Sequence, residues 1–300
     1  MIQASRNGKG IRQSIGLYLF ISPYMILFFV FTVLPVLLSV FYSFTSYNIL
    51  QPAEFVGFAN YQRLFLDDDV FITAIKNTVI LAAITGPAGY ILCFVFAWFI
   101  NELSPKVRAL MTLLFYAPTI SGNVYLMWGL LFSGDSHGYI NGLLMKLNLI
   151  TEPILWFQNT KYMMPLIVMV ALWSSLGTSF LAFIAGLQGI DKSLFEAGAV
   201  DGIHNRWQEL WYITLPSMRP QLMFGAVMSI TGAFGIGSVI TALCGNPSTD
   251  YAVHTMVNHL EDYGGARFEM GYASAIAVLL FVLMIACNMM IQRILSKIGT

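Results

Sequence analysis

Hydrophobic residues along this chain are grouped into six long stretches that polar segments separate. Each stretch is longer than the roughly 20 mostly apolar residues with which a helix crosses about 30 Å of hydrocarbon, and none contains Asp, Glu, Lys or Arg. The stretches cover residues 16–44, 77–100, 109–133, 163–188, 222–244 and 270–292. This pattern predicts an all-α polytopic membrane protein with six transmembrane helices, called here the first to sixth spans in chain order.

Composition supports the same fold class, because 57% of the residues are hydrophobic and only 10% are charged, as is typical of membrane proteins. The first span follows Arg6, Lys9 and Arg12, as the apolar segment of a signal peptide would. Its length of about 28 apolar residues nevertheless far exceeds the roughly 7 to 15 of such a segment. We therefore expect residues 1–15 to be a short tail and the first span to be retained.

The distribution of positive charge predicts the orientation in the membrane. Ten of the 15 Lys and Arg residues lie in the N-terminal tail, the 101–108 turn, the 189–221 loop and the C-terminal tail, and five lie on the other face. Lys and Arg are enriched in cytoplasmic loops. Both termini and the 189–221 loop are therefore predicted to be cytoplasmic.

Glycine and proline interrupt several spans. Such residues are tolerated in a membrane where neighbouring helices or a water-filled cavity satisfy the freed backbone groups, and close helix packing through small residues is the alternative. The interruptions are Pro87 with Gly86 and Gly89, Pro118 with Gly122, and Gly225, Gly232, Gly235 and Gly237. Their concentration in the fifth span favours a mobile or cavity-lining helix there.

Polar side chains near the middle of two spans are candidates for a substrate pathway. Hydroxyl groups combined with aromatic rings suit a neutral, hydroxyl-rich ligand. A structural role is the alternative for each hydroxyl, because Ser and Thr in membrane helices often bond a backbone carbonyl one turn back. The candidates are Trp173, Ser174, Ser175, Thr178 and Ser179 in the fourth span, and Ser229 and Thr231 in the fifth.

Several functions are disfavoured by what the sequence lacks. The spans carry no carboxylate or mid-span histidine, groups that ion-coupled carriers commonly use, and the chain has no GxxxxGK[ST] phosphate loop. No catalytic constellation and no metal-ligand spacing is recognisable, and Cys93, Cys244 and Cys287 are interpreted as small apolar residues. If the protein pumps a solute, the energy enters through a partner, and we expect no catalytic residue, metal or cofactor in this chain.

The 189–221 loop is far longer than a connection between two spans requires. Ser193 followed by Glu196 is a capping-box pattern, which predicts a short helix running to about Asp201 and stopping at Gly202. A second helix is predicted to begin near Asn205 and to end before Pro216. Small residues on the first helix suit insertion into a groove on another protein.

The loop sequence EAGAVDG at 196–202, followed by ITLP at 213–216, resembles the EAA loop of permease subunits in binding-protein-dependent ABC importers. The resemblance extends over roughly residues 16–300 and is closest to the carbohydrate branch of that family, with its maltose-type and glycerol-phosphate-type permeases. The matching segments are SFTSYN at 43–48, FVGFANYQRLF at 55–65, KNT at 76–78, FYAP at 115–118, the region of Trp173 and AGLQGI at 185–190.

This resemblance implies the type I ABC importer permease fold over residues 16–300. It also implies that a coupling helix in the loop docks on a cytoplasmic ATPase. Gly198 and Ile203 depart from the motif, since Ala is usual at both positions. The implied coupling residues are Glu196, Ala197, Gly198, Asp201 and Gly202.

The partners implied by the resemblance are a second homologous permease, two cytoplasmic ATPase subunits that bind ATP and Mg, and an extracytoplasmic solute-binding protein. The outer loops at about 45–76, 134–162 and 245–269 would receive the binding protein, in a membrane whose lipid surrounds the spans. Candidate contacts are Tyr139, Trp156, Phe157, Tyr251 and Tyr263, although interfacial anchoring is the alternative for aromatic residues there.

The sequence thus predicts a multi-pass permease of a bacterial-type inner membrane, forming half of the pathway of an ATP-driven importer of sugars, with an oligosaccharide as the expected substrate. No nucleic-acid partner is expected. A channel acting alone and a membrane scaffold that transports nothing are the alternatives. The channel predicts solute flux from the isolated chain without ATP, and the scaffold predicts no flux at all.

Overall fold

The computed structural model describes residues 7–122 and 124–295. Two isolated β-bridges, Thr45 with Phe55 and Asn48 with Gln51, are the only strand-like pairings in these residues. The helices are α1 Asn7–Phe28, α2 Leu34–Tyr42, α3 Ala59–Gln62, α4 Asp69–Asn101, α5 Pro105–Ile120, α6 Tyr125–Leu131, α7 Tyr139–Lys146, α8 Thr160–Ser174, α9 Thr178–Gln188, α10 Lys192–Val200, α11 Arg206–Glu209, α12 Leu215–Ser217, α13 Arg219–Phe234, α14 Gly237–Cys244, α15 Met256–Glu261 and α16 Met270–Leu295. π-Helical turns cover Phe29–Val33, Arg63–Asp67, Leu210–Thr214 and Asp262–Ala266, and a 3-10 turn covers Thr249–Tyr251.

Five helical stretches are long and apolar enough to cross a membrane, and the pair α5 and α6, bent by 89°, provides a further span if it is counted as one. The five are Gly16–Tyr42, Asp69–Asn101, Thr160–Gln188, Arg219–Cys244 and Met270–Leu295. The predicted all-helical membrane fold is therefore confirmed. The second span begins at Asp69, eight residues before the predicted start at residue 77, because Asp68 caps the helix by accepting a hydrogen bond from the Phe71 N–H.

The second, fourth and fifth spans form the packed centre of the molecule through α4, α9 and α13. Phe183 is fully buried there, edge-on to Tyr90 and Phe94. The fifth span approaches it closely only because residue 225 is Gly, since a Cβ at Gly225 would overlap the Phe183 ring. Small residues thus bring these helices together, as is common in membrane bundles.

The main contact of the first span with the rest of the described chain is the packing of α2 against α16. None of the residues in its apolar window is buried. An apolar helix surface of this size needs a cover of lipid or of another protein chain. The centre of the chain therefore does not depend on the first span for its own packing.

The loops at about 45–76 and 245–269 meet at the start of the second span. The Asp68 carboxylate accepts a hydrogen bond from the Tyr272 hydroxyl at 2.7 Å and lies 2.9 Å from His259 Nε2. His259 Nδ1 in turn lies 3.2 Å from His254 Nε2. Burial alone raises the pKa of Asp68, but hydrogen bonds from Tyr272, the Phe71 N–H and His259 outweigh it and hold that pKa below its usual value.

The pKa values of both histidines of this cluster lie below the usual value for histidine. Burial is the main cause that lowers the pKa of His254 to about 4. The neighbouring His259 acts in the same direction, and Asp262 and Asp68 act in the opposite one. Burial also lowers the pKa of His259, against the effect of Asp68. The cluster is therefore a bridge between two loops whose buried histidines favour the neutral form, with the Asp68 carboxylate at its end.

Candidate functional site

Two of the spans are broken near their middle, and the breaks lie side by side. The fourth span is interrupted between α8, which ends at Ser174, and α9, which begins at Thr178. The fifth span is interrupted between Phe234 and Gly237. The first backbone N–H groups of a helix have no partner within that helix, so each break adds polar backbone to the centre of the bundle.

A cavity of about 250 Å³ lies at these breaks. Polar hydroxyl groups and small residues from the second, fourth and fifth spans dominate its lining, and none of the described residues that line it is charged. The lining residues are Thr85, Gly89, Tyr125, Ala171, Ser174, Ser175, Thr178, Ser179, Met228, Ser229, Gly232, Ala233, Gly235, Ile236, Ser238 and Val239. The cavity therefore offers hydrogen-bonding groups without a fixed charge.

The structure brings five of the seven candidate pathway residues together at this cavity, namely Ser174, Ser175, Thr178, Ser179 and Ser229. It places the other two elsewhere. The Trp173 ring packs edge-on against Trp128, with 5.3 Å between centroids. Thr231 is exposed and donates to the Val227 carbonyl at 2.9 Å, one turn back.

The hydroxyl groups at the cavity differ in how fully they are used. Ser175 donates to the Leu172 carbonyl at 2.6 Å, within its own span. Ser179 instead donates across to the Gly225 carbonyl at 3.2 Å and lies 3.4 Å from the Ser229 hydroxyl. Ser174 Oγ is buried and has no hydrogen-bond partner in the part of the chain that the structure describes. A buried hydroxyl without a partner is costly, so this group is available to a ligand.

Sequence reasoning missed several lining residues, among them Thr85, Tyr125 and Ser238. Gly89 was noted only as an interruption of the second span. It faces the fourth span so closely that an added Cβ would lie 3.0 Å from Ser175 Oγ. The small residues around Pro87 are a signal that this part of the second span packs closely against its neighbours. The hydrophobic pattern does not show which face of the span lines the cavity.

The polar loop of residues 189–221 folds into a compact knob, defined here as α10, α11 and the turns that join them. Asp191, and not the predicted Ser193, caps α10, because its carboxylate accepts a hydrogen bond from the Ser193 N–H at 3.0 Å. The helix stops as predicted at Gly202, whose φ of +90° suits glycine. Backbone bonds from Ile203 to Gly198 (2.9 Å) and from Gly202 to Ala199 (3.4 Å) close the end in a Schellman motif.

The knob presents most of the predicted coupling residues on its free surface. Glu196, Ala197, Asp201 and Gly202 are exposed, whereas Gly198 is buried. A Cβ at Gly198 would lie 2.7 Å from Ile213 Cδ1 and 3.1 Å from Ile203 Cδ1. The glycine therefore marks the inner face of α10, and the acidic and small residues mark the outer face.

The second part of the knob departs from the expected helix. Asn205 caps α11 as predicted, by accepting from the Gln208 N–H at 2.9 Å. The helix does not end before Pro216, however, because a π-helical turn at Leu210–Thr214 leads into α12, which contains this proline near its start. Proline is tolerated at such a position, where its missing N–H is not needed.

The outer aromatic residues have different environments. Tyr139 is 71% exposed, whereas Tyr263 is buried among Arg63, Arg267 and Tyr272. Trp156 donates its indole N–H to Asn141 Oδ1 at 2.9 Å and so helps to fold its own loop. Of these residues, Tyr139 is the one whose ring is free to contact a partner. Within the residues that the structure describes, no group of three or more His, Cys, Asp or Glu side chains is arranged to hold a metal.

A helical membrane protein with broken central spans, an uncharged polar cavity and a folded loop outside the spans belongs to the class of multi-pass membrane transport proteins. The comparisons identify the family within that class. The family model described as binding-protein-dependent transport system inner membrane component matches residues 9–298. This chain belongs to that family, and it is a non-catalytic, multi-pass permease subunit of a bacterial inner membrane.

Individual relatives agree with this assignment. The chain is 34% identical over 289 residues to the probable ABC transporter permease protein YesP of Bacillus subtilis, covering 93% of this chain and 90% of the relative. It is 30% identical to the arabinooligosaccharides transport system permease protein AraP of the same species, covering 91% and 86%. A solved bacterial ABC transporter involved in the import of the acidic polysaccharide alginate has a chain with a TM-score of 0.76 at 26% identity, covering 95% of this chain and 98% of that one.

Proposed function

We propose that this permease forms half of the translocation pathway of an ATP-driven oligosaccharide importer and that its central cavity contacts the sugar. The observation that carries the proposal is the uncharged, hydroxyl-lined cavity at the breaks of the fourth and fifth spans. Sugars are recognised by hydrogen bonds to their hydroxyl groups, and broken helices supply backbone groups for such bonds. The relatives named for arabinooligosaccharide and alginate transport support a carbohydrate cargo.

Within this proposal, the knob is the coupling element. Glu196, Ala197, Asp201 and Gly202 form the surface that docks in a cleft of an ATPase subunit, and Gly198 lets α10 lie close to Ile213 behind it. ATP and Mg bind to the two ATPase subunits and not to this chain. Closure of the ATPase dimer moves the knob, and the spans then open the cavity toward the outside.

The remaining partners follow from the same arrangement. A second homologous permease supplies the other half of the pathway. An extracytoplasmic binding protein delivers the sugar to the outer loops at 45–76, 134–162 and 245–269, with Tyr139 as an exposed contact. Residues 1–15 are a cytoplasmic tail, residues 16–300 form the transmembrane domain, and both termini lie in the cytoplasm, in agreement with the excess of Lys and Arg on that face.

The coupling role is tested with Glu196→Lys in the complex purified from its native host in mild detergent. We expect the unaltered chain to purify with a second permease and an ATPase, and the charge reversal to abolish ATP-driven sugar uptake while the chain still inserts. His204→Lys, an exposed change in the same loop, is the matched control and should retain uptake. A chain that purifies alone and passes solute without ATP would establish a channel instead, and one that passes nothing would establish a scaffold.

The cavity is tested with Ser229→Leu, which replaces a hydroxyl at the cavity by a bulky apolar side chain. We expect uptake of labelled arabino-oligosaccharides to fall at least tenfold, because the side chain fills space that the sugar needs. Ser22→Leu makes the same exchange on the exposed first span and should leave uptake within about twofold. Normal uptake by Ser229→Leu would remove the cavity from the pathway.

A further inference from the structure

An ion pair joins the knob to the inner end of the second span. Glu102 follows directly after α4, and its Oε2 accepts a hydrogen bond from Arg206 Nη2 at 2.6 Å. The other arm of the same guanidinium, Nη1, donates to Glu209 at 2.7 Å. A single arginine thus holds one carboxylate of the knob and one carboxylate of the span in a fixed geometry.

A second contact lies beside this pair. The Trp98 ring on α4 and the Trp207 ring on α11 have centroids 5.5 Å apart at an angle of 55°. Trp98 is one helical turn before Glu102, and Trp207 follows Arg206 in sequence. The charged and the aromatic contact therefore attach the same turn of the knob to the same turn of the second span.

The ion pair is not explained by a contribution to stability. The side chains of Arg206 and Glu102 are 61% and 43% exposed, and exposed pairs of this kind contribute roughly 0 to 1 kcal/mol. What the pair does fix is the position of α11 relative to the end of α4. Together with the contact between Trp98 and Trp207, the pair defines where the knob meets the second span.

The second span connects this contact with the cavity. The helix α4 runs without interruption from Asp69 to Asn101, and Thr85 and Gly89 on it line the cavity. Gly89 lies on the same side of Pro87 as Glu102, and the helix stays continuous through Pro87 to Thr85, so displacement of its inner end is carried to both residues. The fourth and fifth spans, which flank the knob in sequence, are both broken and are less suited to this task.

We propose that Arg206 and Glu102 are positioning residues that transmit movement of the knob to the second span and through it to the cavity. This inference rests on the proposed function, because it assumes that an ATPase moves the knob. Arg206 holds the knob to Glu102, and the second span then moves Thr85 and Gly89 relative to Ser175 across the cavity. Without this contact, ATP hydrolysis continues but moves less sugar.

The test uses the complete importer with its binding protein in proteoliposomes, and labelled arabino-oligosaccharides as the probe. The quantity measured is sugar taken up per ATP hydrolysed. Arg206→Ala and Glu102→Gln should each lower this ratio at least fivefold, and the double variant should be no worse than either single change. Glu209→Gln is the matched control, because it removes a carboxylate from Arg206 but leaves the contact with Glu102, and it should retain the ratio within about twofold.

The outcomes separate this inference from the function on which it rests. If the unaltered importer shows neither uptake nor stimulation of ATP hydrolysis by the binding protein, the proposed function fails. If the unaltered importer works and Arg206→Ala keeps its uptake per ATP, the positioning role is wrong. The positioning role is also wrong if uptake is lost together with the assembled complex, or together with several degrees of the thermal midpoint. Either result would show that the residues have a structural role.

Discussion

The residues at positions 198 and 203 fit together in one packing contact of the knob. Ala is usual in the family motif at 198 and at 203, and here these positions hold Gly and Ile. The Ile203 and Ile213 side chains reach into the space that a Cβ at 198 would occupy. The two departures from the motif are thus explained by one contact, which keeps α10 close to the rest of the knob.

This contact makes a prediction for Gly198→Ala. The new methyl group would crowd the ends of two isoleucine side chains, which can shift, so we expect a loss of about 1 kcal/mol in the free energy of unfolding. The double change Gly198→Ala with Ile203→Ala should recover part of that loss. Thermal unfolding of the solubilised chain and of both single variants measures the coupling, and strictly additive effects would contradict it.

The sequence predicted that hydroxyl groups line the cavity, but it predicted less well which residues these are. Ser174, Ser175, Thr178 and Ser229 were found because hydroxyl groups in the middle of a span are conspicuous. Trp173 was grouped with them by closeness in sequence, but the helix break after Ser174 changes which side chains share a face. In the knob, Asp191 and Ser193 are both good caps two residues apart, and the sequence did not decide between them.

At the scale of the helices, glycine and proline proved ambiguous signals. The sequence predicted interruptions at Pro87, at Pro118 with Gly122, and in the fifth span. The structure continues α4 through Pro87, but it ends α5 at Ile120, just after Pro118, and breaks the fifth span after Phe234. Neighbouring helices and local adjustments can satisfy the backbone groups that a membrane proline frees. The break in the fourth span, which has only Gly177 to mark it, was not predicted.

The close approach of the fifth span to the fourth depends on Gly225, and this predicts the effect of a larger residue there on stability. Gly225→Ala would place a methyl group against the buried Phe183 ring and should lower the free energy of unfolding by about 1 to 3 kcal/mol. Gly232→Ala, on the same helix, is the matched control, because nothing lies within 4 Å of its added Cβ. Thermal midpoints of the solubilised variants measure the difference. Equal midpoints would show that the ring moves aside freely.

At the scale of the whole molecule, contacts between distant segments were invisible in the sequence. Asp68 bonds to residues 191 and 204 positions away, His259 and Tyr272. Nothing in the run of three acidic residues at 67–69 indicates that one of them has distant partners, because a run of carboxylates is most often solvated. The hydrophobic pattern thus predicts the spans, whereas the way in which the loops join them depends on polar side chains that any sequence position could supply.

The buried histidines predict how stability depends on pH. A histidine in the unfolded chain titrates near pH 6.5, whereas the pKa of His254 in the folded chain is about 4. Between these values the unfolded chain binds a proton that the folded chain does not, so stability falls as the pH is lowered through this window. The loss from His254 approaches roughly 3 kcal/mol near pH 4.

The measurement is the thermal midpoint of the solubilised chain between pH 7.5 and pH 5. A fall of about 5 °C is expected, and His254→Gln should make the midpoint less dependent on pH. His204→Gln alters an exposed histidine and should leave the dependence unchanged. A midpoint that stays constant down to pH 5 would contradict this prediction, because it would mean that His254 has the same pKa in the folded and the unfolded chain.

The breaks in the fourth and fifth spans have a consequence for how such a protein changes over evolutionary time. Part of the polarity at the cavity belongs to the main chain, which every amino acid carries, so exchanging a lining side chain does not abolish it. Under the function proposed above, mutations there can reshape the space for a different cargo while the main-chain groups remain. A binding surface built in this way tolerates changes in sequence. The same fold can therefore acquire new nutrient substrates through a few substitutions.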